Sequence, residues 1–260
     1  MPFQERNGLR FVKFDSFSGL PHAIFTRRGG VSPAPWSSLN VGGTVGDEPD
    51  RVRENRTRML ASLGLVPEAV FDVWQVHGTD VVLADAPRPS DAPHQRADAI
   101  VTDRPDLVLS MRFADCVPIL LSDPRHRAVG IAHAGWMGTV LKTVQYALQA
   151  MSGAYQTEPG EVCAVIGPSI GPDHYAVGPD VIGRVEEAFP QDSGRLLRSR
   201  DGATYFDLWE ANRLLLFQSG VTQVEVAGIC TACHVQDWFS HRAEHGSTGR
   251  FGALISPGAA

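Results

Sequence analysis

The stretch Ala128-Val129-Gly130-Ile131-Ala132-His133-Ala134-Gly135-Trp136-Met137-Gly138-Thr139 decides the fold class. Its first five residues are small or apolar without a break, as in a strand covered on both faces. A glycine-bearing turn follows. From Thr139 to Met151 the apolar residues Val140, Leu141, Val144, Ala147 and Leu148 recur at helical spacing. Strand, turn and helix in direct succession point to an α/β protein. Seventeen positions before His133 stands the cysteine of Ala114-Asp115-Cys116-Val117-Pro118, between the strand-like runs 106–111 and 119–121. A thiol and an imidazole at the ends of neighbouring strands meet in space. The pair reads either as part of a metal site or as a nucleophile with its base.

The flanking sequence extends this pattern. A strand at 22–26 runs into a turn-rich segment from Arg27 to Gly46 that holds two Gly-Gly pairs and two prolines. So long an irregular stretch is more often a binding loop than a spacer. A helix follows at 49–63, with Arg51, Asn55 and Arg56 in its first two turns. Strands at 70–76 and 81–84 flank Gly78, and 85–96 is a proline-bearing loop. Further on come a strand at 162–166, helices at 181–189 and 208–217, and a strand at 224–229 entering Cys230-Thr231. The order predicts an α/β fold, a mixed sheet with helical layers, in a single domain over 1–260.

Composition narrows the function classes. Hydrophobic residues make up 43% and charged residues 20% of the 260, which suits a globular enzyme. No window approaches the roughly 18 apolar residues of a membrane span. The opening Met1-Pro2-Phe3-Gln4-Glu5-Arg6 has no apolar run of the signal-peptide kind, so the expected compartment is cytoplasmic. A net charge of −6 argues against a nucleic-acid footprint, and any anion must be met by local arginines. Arg27 and Arg28 beside Gly29-Gly30, Arg56, Arg242 and Arg250 are the candidates.

Three potential ligands stand out: His77 in Gln75-Val76-His77-Gly78, Cys116 and His133. Each lies where an apolar run ends beside a small or turn-forming residue. Two histidines and a cysteine leave a fourth tetrahedral position open, as in catalytic zinc. The competing reading is a buried cysteine with two hydrogen-bonded histidines. Gly135-Trp136-Met137-Gly138 reads either as an anion-binding helix start or as a turn needing glycine for packing. Cys230 and Cys233 form a lone CxxC with no second pair to complete a four-sulfur zinc site, and read as two ordinary thiols in a loop.

These residues carry a resemblance. His133-Ala134-Gly135-Trp136-x-Gly138, Ala114-Asp115-Cys116-x-Pro118 and Gln75-Val76-His77-Gly78 resemble the signatures of the YfiH family. This is also called the multicopper polyphenol oxidoreductase or laccase-domain family, and it includes the human protein FAMIN. Further matches are Arg28-Gly29-Gly30-Val31-Ser32, Ser38-Leu39-Asn40, Asn55-Arg56, Gly167-Pro168-x-Ile170, Cys230-Thr231, Ser240-x-Arg242 and Gly249-Arg250, so the likeness spans the chain. It implies a YfiH-type α/β fold, distantly similar to the cysteine-hydrolase domain of cytotoxic necrotizing factors, and a zinc held by His77, Cys116 and His133. It further implies phosphorolysis of purine nucleosides (inosine, adenosine, methylthioadenosine) to base and ribose 1-phosphate, accompanied by adenosine deamination. Some bacterial members are named peptidoglycan editing factors. The sequence departs from the family at Met137, where arginine is usual; if that arginine helps hold phosphate, either phosphorolysis is weaker here or Arg28, Arg56 or Arg242 substitutes.

Within this reading Asp115 is assigned either acid/base work or the orienting of a ligand histidine. Asn40, Gln75, Arg56 and Arg242 are assigned as substrate contacts, the amides for sugar or purine edges and the guanidiniums for phosphate. The alternative is a metal-free cysteine hydrolase acting on a cell-wall precursor, with Cys116 as nucleophile and His133 or His77 as base. Blue multicopper oxidase chemistry lacks its ligands: no two of the nine histidines lie two positions apart. Copper entering the zinc site is chemically straightforward, because copper binds such ligands more tightly.

Overall fold

The computed structural model describes residues 3–89 and 91–258; Ser90, within the expected 85–96 loop, lies outside them. The strands are β1 (Phe3–Arg6), β2 (Leu9–Val12), β3 (His22–Phe25), β4 (Val70–Asp72), β5 (Val81–Leu83), β6 (Ala99–Thr102), β7 (Val108–Phe113) and β8 (Val117–Asp123). They continue with β9 (Ala128–Ala134), β10 (Cys163–Ile166), β11 (Ala176–Val177), β12 (Leu197–Arg200), β13 (Ala203–Phe206), β14 (Gln223–Val226) and β15 (Phe251–Ile255). The helices are α1 (Pro49–Ser62), α2 (Trp136–Val140), α3 (Thr143–Tyr155), α4 (Pro179–Ala188), α5 (Ser193–Leu196) and α6 (Leu208–Gln218).

The expected mixed sheet is two sheets. One runs β1-β2-β3-β15-β7-β4, the other β14-β10-β8-β9-β6-β5, and a small third sheet joins β11-β13-β12. Most pairs are antiparallel, but β4–β7, β5–β6 and β10–β14 are parallel, so both large sheets are mixed. Alternate residues explain the layering. Leu109, Met111 and Phe113 of β7 and Phe251, Ala253 and Ile255 of β15 meet Leu120, Val129, Ile131 and Val165 of the facing sheet. The opposite face of the second sheet packs Val117, Ile119, Leu121 and Ala132 against Val144, Leu148 and Met151 of α3 and Leu215 of α6. Helix α1 covers the outside of the first sheet through Met59 and Leu60, against Phe11, Phe25 and Leu254. Strands β8 and β9 are buried throughout because both their faces are covered.

Three local differences from the sequence reading have physical causes. The helix expected over 139–151 is two helices, because Lys142 takes a left-handed conformation (φ 65°) and breaks a periodicity that continues on either side. The strand expected over 70–76 ends at Asp72, since Trp74 leaves the first sheet to bridge Arg96. Hairpins β1–β2 and β12–β13 turn on Asn7-Gly8 and Asp201-Gly202, each with two successive positive φ values. This is the primed-turn signal of Asn-Gly and Asp-Gly, legible in the sequence though not read there. No helix among the described residues is long and apolar enough to cross a membrane.

Candidate active site and metal centre

Register delivers the central pair. In the β8–β9 ladder Val117 lies opposite Ala134 and Pro118 opposite His133, so Cys116, just before β8, sits beside the end of β9. His77 arrives from the turn after the Trp74 bridge, with Sγ of Cys116 3.9 Å from its Nε2. Its ring packs edge-on to that of His133 at 4.9 Å between centroids, and Phe113 of β7 packs against His133 from below. One donor atom from each of His77, Cys116 and His133 lies within 4.8 Å of the other two. Gly135 sits over the thiol, where a Cβ would stand 2.7 Å from Sγ, so only glycine fits. That contact supplies the packing reason for glycine in the turn. Helix α2, which Gly135 caps, is only five residues long.

The residue that orients these groups is Asp98, which the sequence reading missed. Its buried carboxylate accepts the Nδ1–H of His133 at 2.8 Å and the backbone N–H groups of Val76, His77 and Gly78 at 3.0, 3.0 and 2.7 Å. One carboxylate therefore fixes the tautomer of His133, with Nε2 turned to the thiol, and clamps the left-handed turn (φ 60°) that presents His77. Burial would raise the Asp98 acid, but the His133 hydrogen bond and these amides hold it below the ordinary value. Burial likewise opposes charge on Cys116 and His133, yet each stabilises the other: the thiol falls and the imidazole rises. The charged form of each thus favours the charged form of the other, and a cation taking the place of the proton between them would meet a sulfur and two nitrogens. This donor chemistry fits a metal site.

Asp115 is adjacent to Cys116 in sequence but does other work. Its φ of 78° turns its carboxylate away, to accept from the Thr231 hydroxyl and the Arg242 backbone N–H, both at 2.6 Å. It ties two cavity loops together, and the histidine-orienting carboxylate is Asp98.

Above the cluster opens a cavity of about 750 Å³, within the roughly 300–1,000 Å³ typical of small-molecule sites. Gln75, Arg56 and Arg242 line it; Asn40 does not. Asn40 is fully buried, its amide bonded to Gly42, Asp47 and the Arg250 N–H, so it holds the glycine-rich loop in shape. That loop reaches the cavity through Gly42, Gly43 and Thr44. Gln75 exchanges two hydrogen bonds with the Arg112 backbone, and the Arg242 guanidinium donates to the Ala176 carbonyl and lies over Tyr175.

The cavity's cations are Arg56, Arg112, Arg242 and Arg250, with His94 beside them. Arg56 donates twice to the Val41 carbonyl, at 3.0 and 2.9 Å, and has no carboxylate partner among the described residues. Arg112 and Arg88 share the single carboxylate of Asp72, which also takes His94. Burial, then the charge of Arg112, pushes the Arg56 guanidinium below its ordinary value, with Asp72 opposing. Arg28 is spent on Asp237, and neither it nor Met137 lines the cavity. Trp74, Trp136 and Tyr175 supply flat aromatic walls.

A family model described as multi-copper polyphenol oxidoreductase laccase matches residues 21–257. The chain belongs to this laccase-domain family. A Deinococcus radiodurans relative named purine nucleoside phosphorylase is 39% identical over 236 residues, covering 91% of this chain and 88% of that protein. The crystal structure of YlmD from Geobacillus stearothermophilus superposes with a TM-score of 0.92 at 34% identity, over 98% of both chains. That of the hypothetical protein YfiH from Bacillus licheniformis gives 0.90 at 32% identity, again over 98% of both.

Proposed function

We propose that this laccase-domain protein is a purine nucleoside phosphorylase whose His77, Cys116 and His133 hold zinc, with adenosine deamination in the same cavity. The observation that carries the reading is the union of two features in one cavity: an oriented His–Cys–His donor set and arginines in excess of their carboxylates. Held by His77, Cys116 and His133, zinc (or copper in the same site) would supply Lewis acidity.

The chain's own residues do the rest. Arg56 and Arg250 offer guanidinium forks to inorganic phosphate, and Arg112, fixed by Asp72, adds positive field. Trp136 and Tyr175 give the purine a flat face to pack against. Phosphate oxygen bonds to ribose C1′ as the C1′–N bond breaks, and the bonding pair leaves with the base, which takes up a proton. Gln75 and Arg242 remain substrate contacts in this scheme, while Asn40 and Asp115 act by holding the loops that carry Arg250 and Arg242. In deamination water replaces the purine amino group, which leaves as ammonia.

The test is product analysis. Inosine with phosphate should give hypoxanthine and ribose 1-phosphate in equal amounts, and adenosine should also give inosine. Base release at an undiminished rate without phosphate would contradict phosphorolysis.

One observation favours a second reading. The Cys116 thiolate, the His133 imidazolium and Asp98 behind it have the order of a nucleophile, base and orienting acid. A cysteine hydrolase acting on an amide of a wall precursor would use them so. A covalent substrate adduct on Cys116 would favour that reading, and stoichiometric zinc on the purified protein would oppose it.

A further inference from the structure

Outside the cavity's donor set, a second cluster gathers His174, Cys230 and Cys233, with one donor atom of each within 4.8 Å of the others. We propose that these three residues form a second metal site, taking a thiophilic divalent cation such as zinc. The proposal is independent of the reaction assigned to the main cavity.

Geometry carries it. Zinc–sulfur bonds of about 2.3 Å and zinc–nitrogen bonds of about 2.0–2.1 Å at a tetrahedral angle place sulfur and nitrogen about 3.6 Å apart. Nδ1 of His174 lies 3.5 Å from Sγ of Cys233 and 3.8 Å from Sγ of Cys230. Those two separations match the nitrogen–sulfur edges of a metal's coordination tetrahedron; with Nε2 also 4.0 Å from Sγ of Cys233, the His174 ring turns about its side chain to aim Nδ1 at the ion. The ligands come from two loops, one after β10 and one after β14, joined by the Ser169–Cys230 bridge. The CxxC spacing puts both sulfurs on one side of a turn. The Gly171 N–H points at Sγ of Cys230 from 3.2 Å, an outer hydrogen bond of the kind that supports a ligating thiolate. Cys230 is buried while Cys233 and His174 are exposed, so solvent reaches the fourth position.

The site's place in the fold says what a bound ion does. Thr231, between the two cysteines, donates its hydroxyl to Asp115, and Tyr175, next to His174, lines the main cavity. A metal here staples the two loops that build one wall of that cavity. Its role is to position, with no contact to the reacting atoms.

The experiment uses the full-length reduced protein, stripped with chelator, reloaded with Zn²⁺ and freed of excess by gel filtration. Zinc per chain is then counted for wild type, Cys116→Ala, Cys233→Ser and His174→Gln. Wild type should retain about two equivalents and each variant about one. Cys233→Ser and His174→Gln should keep most phosphorolysis, with a lower melting temperature that added Zn²⁺ no longer raises to the wild-type value. Both positions are exposed, so the two variants check one another against misfolding. Equal zinc in wild type and Cys233→Ser would overturn the proposal. So would a Cys230–Cys233 disulfide in protein purified with zinc present.

Discussion

The two His/Cys clusters use the same ligand chemistry and differ in what stands behind it. In the inner cluster His133 is buried and its Nδ1–H is anchored on Asp98, which also holds the turn bearing His77. In the outer cluster the His174 ring lies against the two sulfurs, and no carboxylate bonds to it among the described residues. A fixed imidazole loses little freedom on binding a cation, whereas a free one must be ordered first. The inner cluster opens onto a cavity that arginines also line. The outer one sits at a loop junction, where an ion adds rigidity.

Removing a ligand breaks the comparison most severely. Cys116→Ala should bring phosphorolysis to background and remove the inner equivalent of zinc, leaving the outer one in place. Metal analysis and a phosphate-dependent inosine assay on one preparation check both. Next comes Asp98→Asn, which makes the inner histidine resemble the outer. We expect roughly 10–100-fold weaker inner zinc affinity, by competition with a chromophoric chelator. Unchanged affinity would mean that orientation by Asp98 does not matter. Arg56→Met should leave both zinc equivalents intact and raise the KM for phosphate by about tenfold or more, from loss of a charge-assisted bond worth about 1.5–3 kcal/mol. An effect on inosine KM alone would move the anion site elsewhere.

How much of this was legible follows from which contacts are local. Cys116, His133 and His77 stood out because each ends an apolar run beside a turn, and strand ends deliver side chains into clefts. Asp98 did not, because it falls between the 85–96 loop and the 106–111 run, in a stretch that the sequence reading assigns to no element. Its importance arises only when β6 pairs with β9, bringing its carboxylate to a ring 35 residues away. Asp115 lines the cavity, but the orienting of a histidine, which adjacency to Cys116 suggests, falls to Asp98, because a left-handed backbone turns the Asp115 carboxylate to Thr231. Arg112 follows directly on the strand-like run 106–111, where a charge gives no sign of the Asp72 network it joins. The mixed α/β class could be read from alternating runs. The division into two sheets could not, since pairing partners such as β15 and β3 are distant in sequence.

A separate effect distinguishes metal loss from unfolding at low pH. His22 lies in neither cluster; it is buried, accepts the Phe14 N–H and meets the Leu20 carbonyl. Burial pulls its pKa down to about 4, from about 6.5 in the unfolded chain. As pH falls the unfolded chain takes the proton first. The stability associated with neutral His22 is therefore complete above about pH 6.5 and lost progressively towards pH 4, on the order of 3 kcal/mol at most. Denaturant melts of metal-free wild type and His22→Gln across this window should converge in their pH slopes only after that contribution is subtracted. Identical slopes would remove His22 from the account.

The most direct test of the central claim joins metal and chemistry at the inner cluster. Chelator-stripped protein is reloaded with Zn²⁺ in steps, and phosphate-dependent inosine cleavage is measured at each. Activity should rise with the equivalent that Cys116→Ala cannot bind, and Cys233→Ser should follow the same curve. Full activity in the stripped protein, or restored activity in zinc-loaded Cys116→Ala, would contradict the assignment of His77, Cys116 and His133 as the metal centre of a nucleoside phosphorylase.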